Sequence, residues 1–108
     1  MIFRWPHLVM ALCVLLPGNA AAQISPSEQR GQTFVRANCS TCHATDKMSP
    51  SPLKIAPPFR ELHLRYPVEN LEEALVEGIR TGHVNMPEFR LDAGQASDVI
   101  AYLKSLER

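Results

Sequence analysis

Five consecutive residues constrain this chain more than any other feature: Cys39, Ser40, Thr41, Cys42 and His43. The chain holds three cysteines and four histidines in 108 residues, and this stretch gathers two of the cysteines and one of the histidines. A disulfide between Cys39 and Cys42 would close a tiny loop and stabilise little. It would also leave His43 unexplained. A thioredoxin-like redox pair belongs with a βαβ pattern, which the sequence lacks. A structural zinc site needs four ligands, and there is neither a second cysteine pair nor a spaced histidine pair to complete one.

Cys-x-x-Cys-His is the attachment signature of a c-type haem. Each thiol adds across a porphyrin vinyl group and becomes a thioether. Cysteines three apart on a helical turn share a face, so both sulfurs can reach one edge of a flat ring. His43, the next residue, offers its imidazole to the iron. Such a cofactor also answers a question of size. A domain this small buries little surface and usually needs a staple, and a haem is a large apolar body that can act as core.

The start of the chain reads differently from the rest. Arg4 precedes an unbroken apolar run, Leu8–Leu16, followed by Pro17, Gly18, Asn19 and three alanines. A charged start, a short apolar stretch and small residues at a cleavage site make a secretory signal peptide over residues 1–22, cut after Ala22. The run is about half the roughly 20 apolar residues that a spanning helix needs. Cys13 follows bulky Leu12 and reads as apolar filler of that segment. Residues 23–108 then form one domain. Eleven Lys+Arg face eleven Asp+Glu in the chain, and only Arg4 is lost with the leader, so the domain stays near neutral. Nucleic acid, which selects a clear basic excess, is excluded as a partner.

Within the domain, apolar spacing predicts helices over 28–38, 70–82 and 92–108 and no strand. In the first, Gly31, Phe34 and Val35 make a narrow apolar face. In the second, Leu71, Leu75 and Ile79 align, with Asn70 and Glu73 as its cap and Gly82 past its end. In the third, Asp92 and Gln95 form a capping box, and Ala96, Val99, Ile100, Leu103 and Leu106 form the buried stripe. Between them lie two loops. The first, 45–59, holds Pro50, Pro52, Pro57 and Pro58; the second, 83–91, holds Pro87. Long loops in a small domain are usually functional.

An electron-carrying haem iron wants a second axial ligand. Met48 lies too close to His43 in sequence to wrap to the far face and reads as a loop hydrophobe. Met86 sits in the second loop before Pro87, which biases Met86 to extended backbone and suits a strap across a ring. His83 is a neighbouring rival that would give a bis-histidine site, and His63 reads as a solvated loop residue.

These features together resemble the class I c-type cytochromes, the small monohaem electron carriers of bacteria and mitochondria. The helix with Gly31, the Cys39–His43 motif, the Ala56–Phe59 loop, the 70–89 helix and Met-Pro loop, and the last helix with Tyr102 carry the likeness across most of the domain. Ala44 and Ala56 stand where many members have glycine. The resemblance implies an all-α small cytochrome c fold, three to four helices and long loops wrapped around one covalently bound haem c. It implies thioethers at Cys39 and Cys42, axial His43 and Met86, and the Pro57 carbonyl as partner of His43 Nδ1. It implies that Tyr102 packs near the first helix. Arg60 and Arg65 read as surface arginines.

The implied function is transfer of single electrons in the periplasm between redox partner proteins. No small-molecule substrate is implied, and membranes are met only through membrane-bound partners. Two alternatives stand beside it: a subunit permanently bound to one periplasmic dehydrogenase or oxidase, and a sensor or enzyme with a labile sixth ligand.

Overall fold

The structure, a computed structural model, describes residues 2, 11–15, 23–78 and 86–108. Every regular element among them is helical. Helix α1 spans Pro26–Asn38, two residues longer at its start than the apolar spacing predicts. The reason is local. Ser25 has extended backbone and its hydroxyl accepts the Glu28 N–H at 3.1 Å. Pro26 then occupies the first helical position, where its missing N–H costs nothing.

The predicted middle helix is shorter than its pattern suggests. Helix α2 spans Leu71–Glu77 only. Asn70 does not cap it. Its backbone is already helical (φ −65°, ψ −18°) and its side chain makes no capping bond, because a 3₁₀ turn over Val68–Asn70 feeds directly into α2. A side-chain cap needs extended backbone, and that entry is absent. The helix stops at Gly78 rather than near Gly82. Gly78 takes φ +80° and donates its N–H to the Ala74 carbonyl, a left-handed stop that favours glycine. Ile79, Gly82 and His83 lie outside the described residues.

Helix α3 spans Ala93–Ser105 and starts as the sequence predicts. Asp92 accepts the Gln95 N–H at 2.7 Å, and the Gln95 side chain returns to the Asp92 N–H at 3.2 Å. Ala96, Val99, Ile100, Leu103 and Leu106 are all buried, and Tyr102 joins them. A second 3₁₀ turn, Phe59–Leu64, buries Phe59 and Leu62 against the same core.

Helices α1 and α3 pack so closely that glycine is required between them. A Cβ at Gly31 would lie 1.9 Å from the Asp98 carbonyl oxygen and 2.9 Å from Tyr102 Cβ. Beside this contact the Asp98 carboxylate accepts from Ser27 at 2.7 Å and from Arg30 Nε at 2.8 Å. The predicted packing of Tyr102 near α1 is therefore present. Within 1–22, the described residues 2 and 11–15 are non-helical and exposed. No helix of the described residues is long and apolar enough to cross a membrane.

Candidate haem site

The Cys39–His43 motif begins where α1 ends. Cys39 closes the helix, donating its N–H to the Val35 carbonyl at 2.8 Å. Its own carbonyl then accepts the N–H groups of Cys42 and His43 at 3.2 and 3.0 Å. One further turn of chain thus brings both thiols and the imidazole together. Both cysteines are half-buried free thiols. Burial pushes the Cys39 thiol up to about 11, so it is neutral at pH 7. A buried thiolate would be costly there, whereas a thioether carries no charge.

His43 is 7% exposed and its ring is fixed on two sides. Its Nδ1 lies 2.8 Å from the Pro57 carbonyl oxygen. A carbonyl can only accept, so Nδ1 carries a proton, and in the neutral ring Nε2 is then the nitrogen that can serve as a ligand. The Phe59 ring lies against the imidazole, centroids 4.7 Å apart and planes tilted by 34°. The loop that carries Pro57 and Phe59 is tied back to the motif. Phe59 N–H reaches the Ala44 carbonyl at 2.9 Å, and Leu53 N–H reaches the Cys42 carbonyl at 3.1 Å. Ala44 and Ala56 are both buried, and no non-glycine residue among those described has positive φ. Alanine is therefore accommodated at both positions without backbone strain.

Met86 is half-buried and lines the same cleft as Cys39 and His43. The chain beyond it is anchored twice. Leu91 N–H bonds the Leu75 carbonyl of α2 at 2.8 Å, and Phe89 meets Phe34 of α1 edge to face at 6.2 Å. The cleft walls come from all three α-helices: Phe34 and Val35 from α1, Leu71 and Leu75 from α2, Val99 and Leu103 from α3. None of the residues lining it is an aspartate, glutamate, lysine or arginine. An adjoining cleft adds Cys42, Leu53 and Pro87 to the rim.

The other sequence candidates fall away from this centre. Met48 is 88% exposed and His63 and Arg65 are exposed, as read. Arg60 is used structurally, donating to the Ser49 carbonyl at 2.6 Å. Among the described residues, no cluster of three or more His, Cys, Asp or Glu could hold a metal ion. The aromatic walls Phe34, Phe59 and Phe89 were not anticipated as site residues. Their signal was present in the flanks: Phe59 follows Pro57-Pro58, and Phe89 follows Met86-Pro87 by two positions.

An apolar cleft edged by two free thiols, with a proton-directed imidazole and a thioether sulfur on its walls, fits a haem c by its donor chemistry. The family model described as Cytochrome c matches residues 28–107. A search of curated proteins and a search of solved structures each found no match.

Proposed function

This chain belongs to the cytochrome c family, whose members bind haem c covalently and transfer electrons, and on that premise we propose that it is a periplasmic single-electron carrier. In this reading Cys39 and Cys42 hold one haem c as thioethers, and His43 and Met86 are its axial ligands. Bound haem supplies one-electron cycling of iron between the ferrous and ferric states.

The chain's own residues supply the rest. The Pro57 carbonyl holds the proton on His43 Nδ1, which fixes the tautomer and raises the basicity of the ligating nitrogen. The Met86 thioether is a soft, neutral donor and favours the reduced state. Phenylalanine and aliphatic walls exclude water and lower the local dielectric, which penalises the more highly charged ferric state and so raises the potential. The observation that carries the reading is the 2.8 Å bond from His43 to Pro57 inside a cleft that Met86 also lines.

Periplasmic export rests on Arg4, the Leu8–Leu16 run and the Ala20–Ala22 site. Redox proteins are the partners of the family. A transient donor and acceptor, met over a small interface, suit a chain whose formal charge is zero and whose long-range steering is weak.

The test is an absorption spectrum of the protein made in a host with haem-attaching machinery. Reduced low-spin bands that survive denaturing extraction, and a far-red ferric band from iron–sulfur ligation, are expected. Low-spin bands without the far-red band would remove Met86 from the iron. A high-spin spectrum would favour the sensor or enzyme reading.

A further inference from the structure

The segment Pro50-Ser51-Pro52 has a feature that haem attachment does not require. The Ser51 hydroxyl accepts the N–H of Ala44, the residue after His43, at 3.0 Å. Ala44 is 4% exposed, so this N–H has lost most of its access to water. Ser51 is held from both sides. Pro50 has a fixed φ, and Pro52 biases Ser51 toward extended backbone, so little freedom is lost when the hydroxyl is presented.

The approach to this segment is held as well. Asp46 accepts the N–H groups of Met48 and Ser49 at 3.0 and 2.7 Å. Arg60 grips the Ser49 carbonyl. On the opposite side, the Ala44 carbonyl accepts the Phe59 N–H two residues from Pro57. Ala44 is thus bound through both its N–H and its carbonyl. One bond leads to the Pro-Ser-Pro bracket and the other to the segment that engages the His43 ring.

We infer that Ser51 is a positioning residue for the axial histidine: its proline-held hydroxyl fixes Ala44 and thereby keeps the His43 Nδ1–Pro57 bond short. This rests on His43 being an iron ligand. Removing the hydroxyl leaves the Ala44 N–H without its partner, and the attachment of 43–44 to 57–59 loosens. A longer His43–Pro57 bond makes the imidazole a weaker electron donor and disfavours ferric iron.

The test uses the full haem-loaded chain and the variants Ser51→Ala, Ser51→Thr and Pro52→Ala. Ser51→Ala is expected to speed amide exchange at Ala44 roughly tenfold relative to α3 amides, the scale of one lost hydrogen bond. It should also raise the reduction potential while leaving the far-red band in place. Ser51→Thr, which keeps the hydroxyl, should return both readouts to the parent values. An Ala44 exchange rate or a potential unchanged by Ser51→Ala overturns the inference. So does a Ser51→Ala effect that Ser51→Thr fails to reverse. Should Ser51→Ala fail to yield folded protein, Pro52→Ala carries the test. It keeps the hydroxyl but frees its backbone, and the potential must rise; an unchanged potential overturns the inference. A parent without covalent haem would bring down the functional reading and this inference together. A low-spin parent with an indifferent Ser51 would bring down only the second.

Discussion

The Tyr102 hydroxyl on α3 donates to the Thr45 carbonyl at 2.5 Å, joining two buried groups across 57 positions of sequence. Thr45 lies two residues beyond His43, so the last helix is tied directly to the motif-bearing turn. Tyr102→Phe keeps the ring packing and removes only the bond. The Thr45 carbonyl is left buried without this partner, which costs about 1–3 kcal/mol. Denaturant unfolding of the haem-loaded protein checks this, and a midpoint unchanged from the parent would show the carbonyl finds water.

Gly31→Ala should be more damaging than a methyl group suggests. Its Cβ would enter the space of the Asp98 carbonyl, and backbone cannot swing aside as a long side chain can. Separation of α1 from α3 is expected, with a loss of about 3 kcal/mol, the upper end of ordinary overpacking. The seam's Arg30–Asp98 and Ser27–Asp98 distances in a variant structure should lengthen together.

Asp46 gives the first loop a defined acid limit. Bonds from the Ser49 hydroxyl, the Ser49 N–H and the Met48 N–H, with the Arg60 charge nearby, hold its carboxyl down to about 2. An unfolded-chain aspartate titrates near ~3.9. The folded value is depressed, so the stabilising contribution is complete above that unfolded value and is lost as pH falls through about 2. The Ser49 amide signal, followed by NMR against pH, should shift with a midpoint near the lower value. Asp46→Asn should abolish that transition.

Met86→His should leave haem attachment intact and lower the reduction potential, by a fraction of the roughly 0.8 V that axial ligands span. Imidazole favours ferric iron more than thioether sulfur does. A redox titration of the variant reads this directly, and an unshifted potential would place Met86 away from the iron.

Cys39→Ala combined with Cys42→Ala should remove covalent haem and with it most of the helical signal in circular dichroism. The apolar walls of the cleft, from Phe34 to Leu103, would otherwise face water. A double variant as helical as the parent would show that the protein core suffices alone.

The candidate residues could be named from the sequence because the chemistry expected of them is local, and the structure places Cys39, His43, Pro57 and Met86 on one cleft. Two thiols and an imidazole within one turn need no tertiary contact to be recognised, and Pro87 restricts Met86 toward extended backbone wherever the loop lies. Helix α3 was legible for a similar reason, since its capping box and apolar stripe agree. The entry to α2 was not. Asn70 has the right residue type for a cap, but Pro67 starts a 3₁₀ turn ahead of it, and the turn decides the backbone angle first. Gly78 was passed over because the apolar spacing runs on to Ile79, whereas left-handed backbone at a glycine ends a helix whatever follows. Ser51 was invisible for a different reason. A hydroxyl between two prolines in a loop gives no sign of which distant N–H it will meet.

The Gly31–Asp98 seam has a consequence for the order in which the molecule comes into being. A chain made from its N-terminus presents α1 and the motif turn well before α3, which begins at Ala93. At roughly 5–20 residues per second, that interval lasts several seconds. During it, neither Val99 nor Leu103 exists to wall the cleft beside Cys39. The thiols that the finished protein half-buries are therefore born exposed, and the last helix acts as a door that arrives after the room.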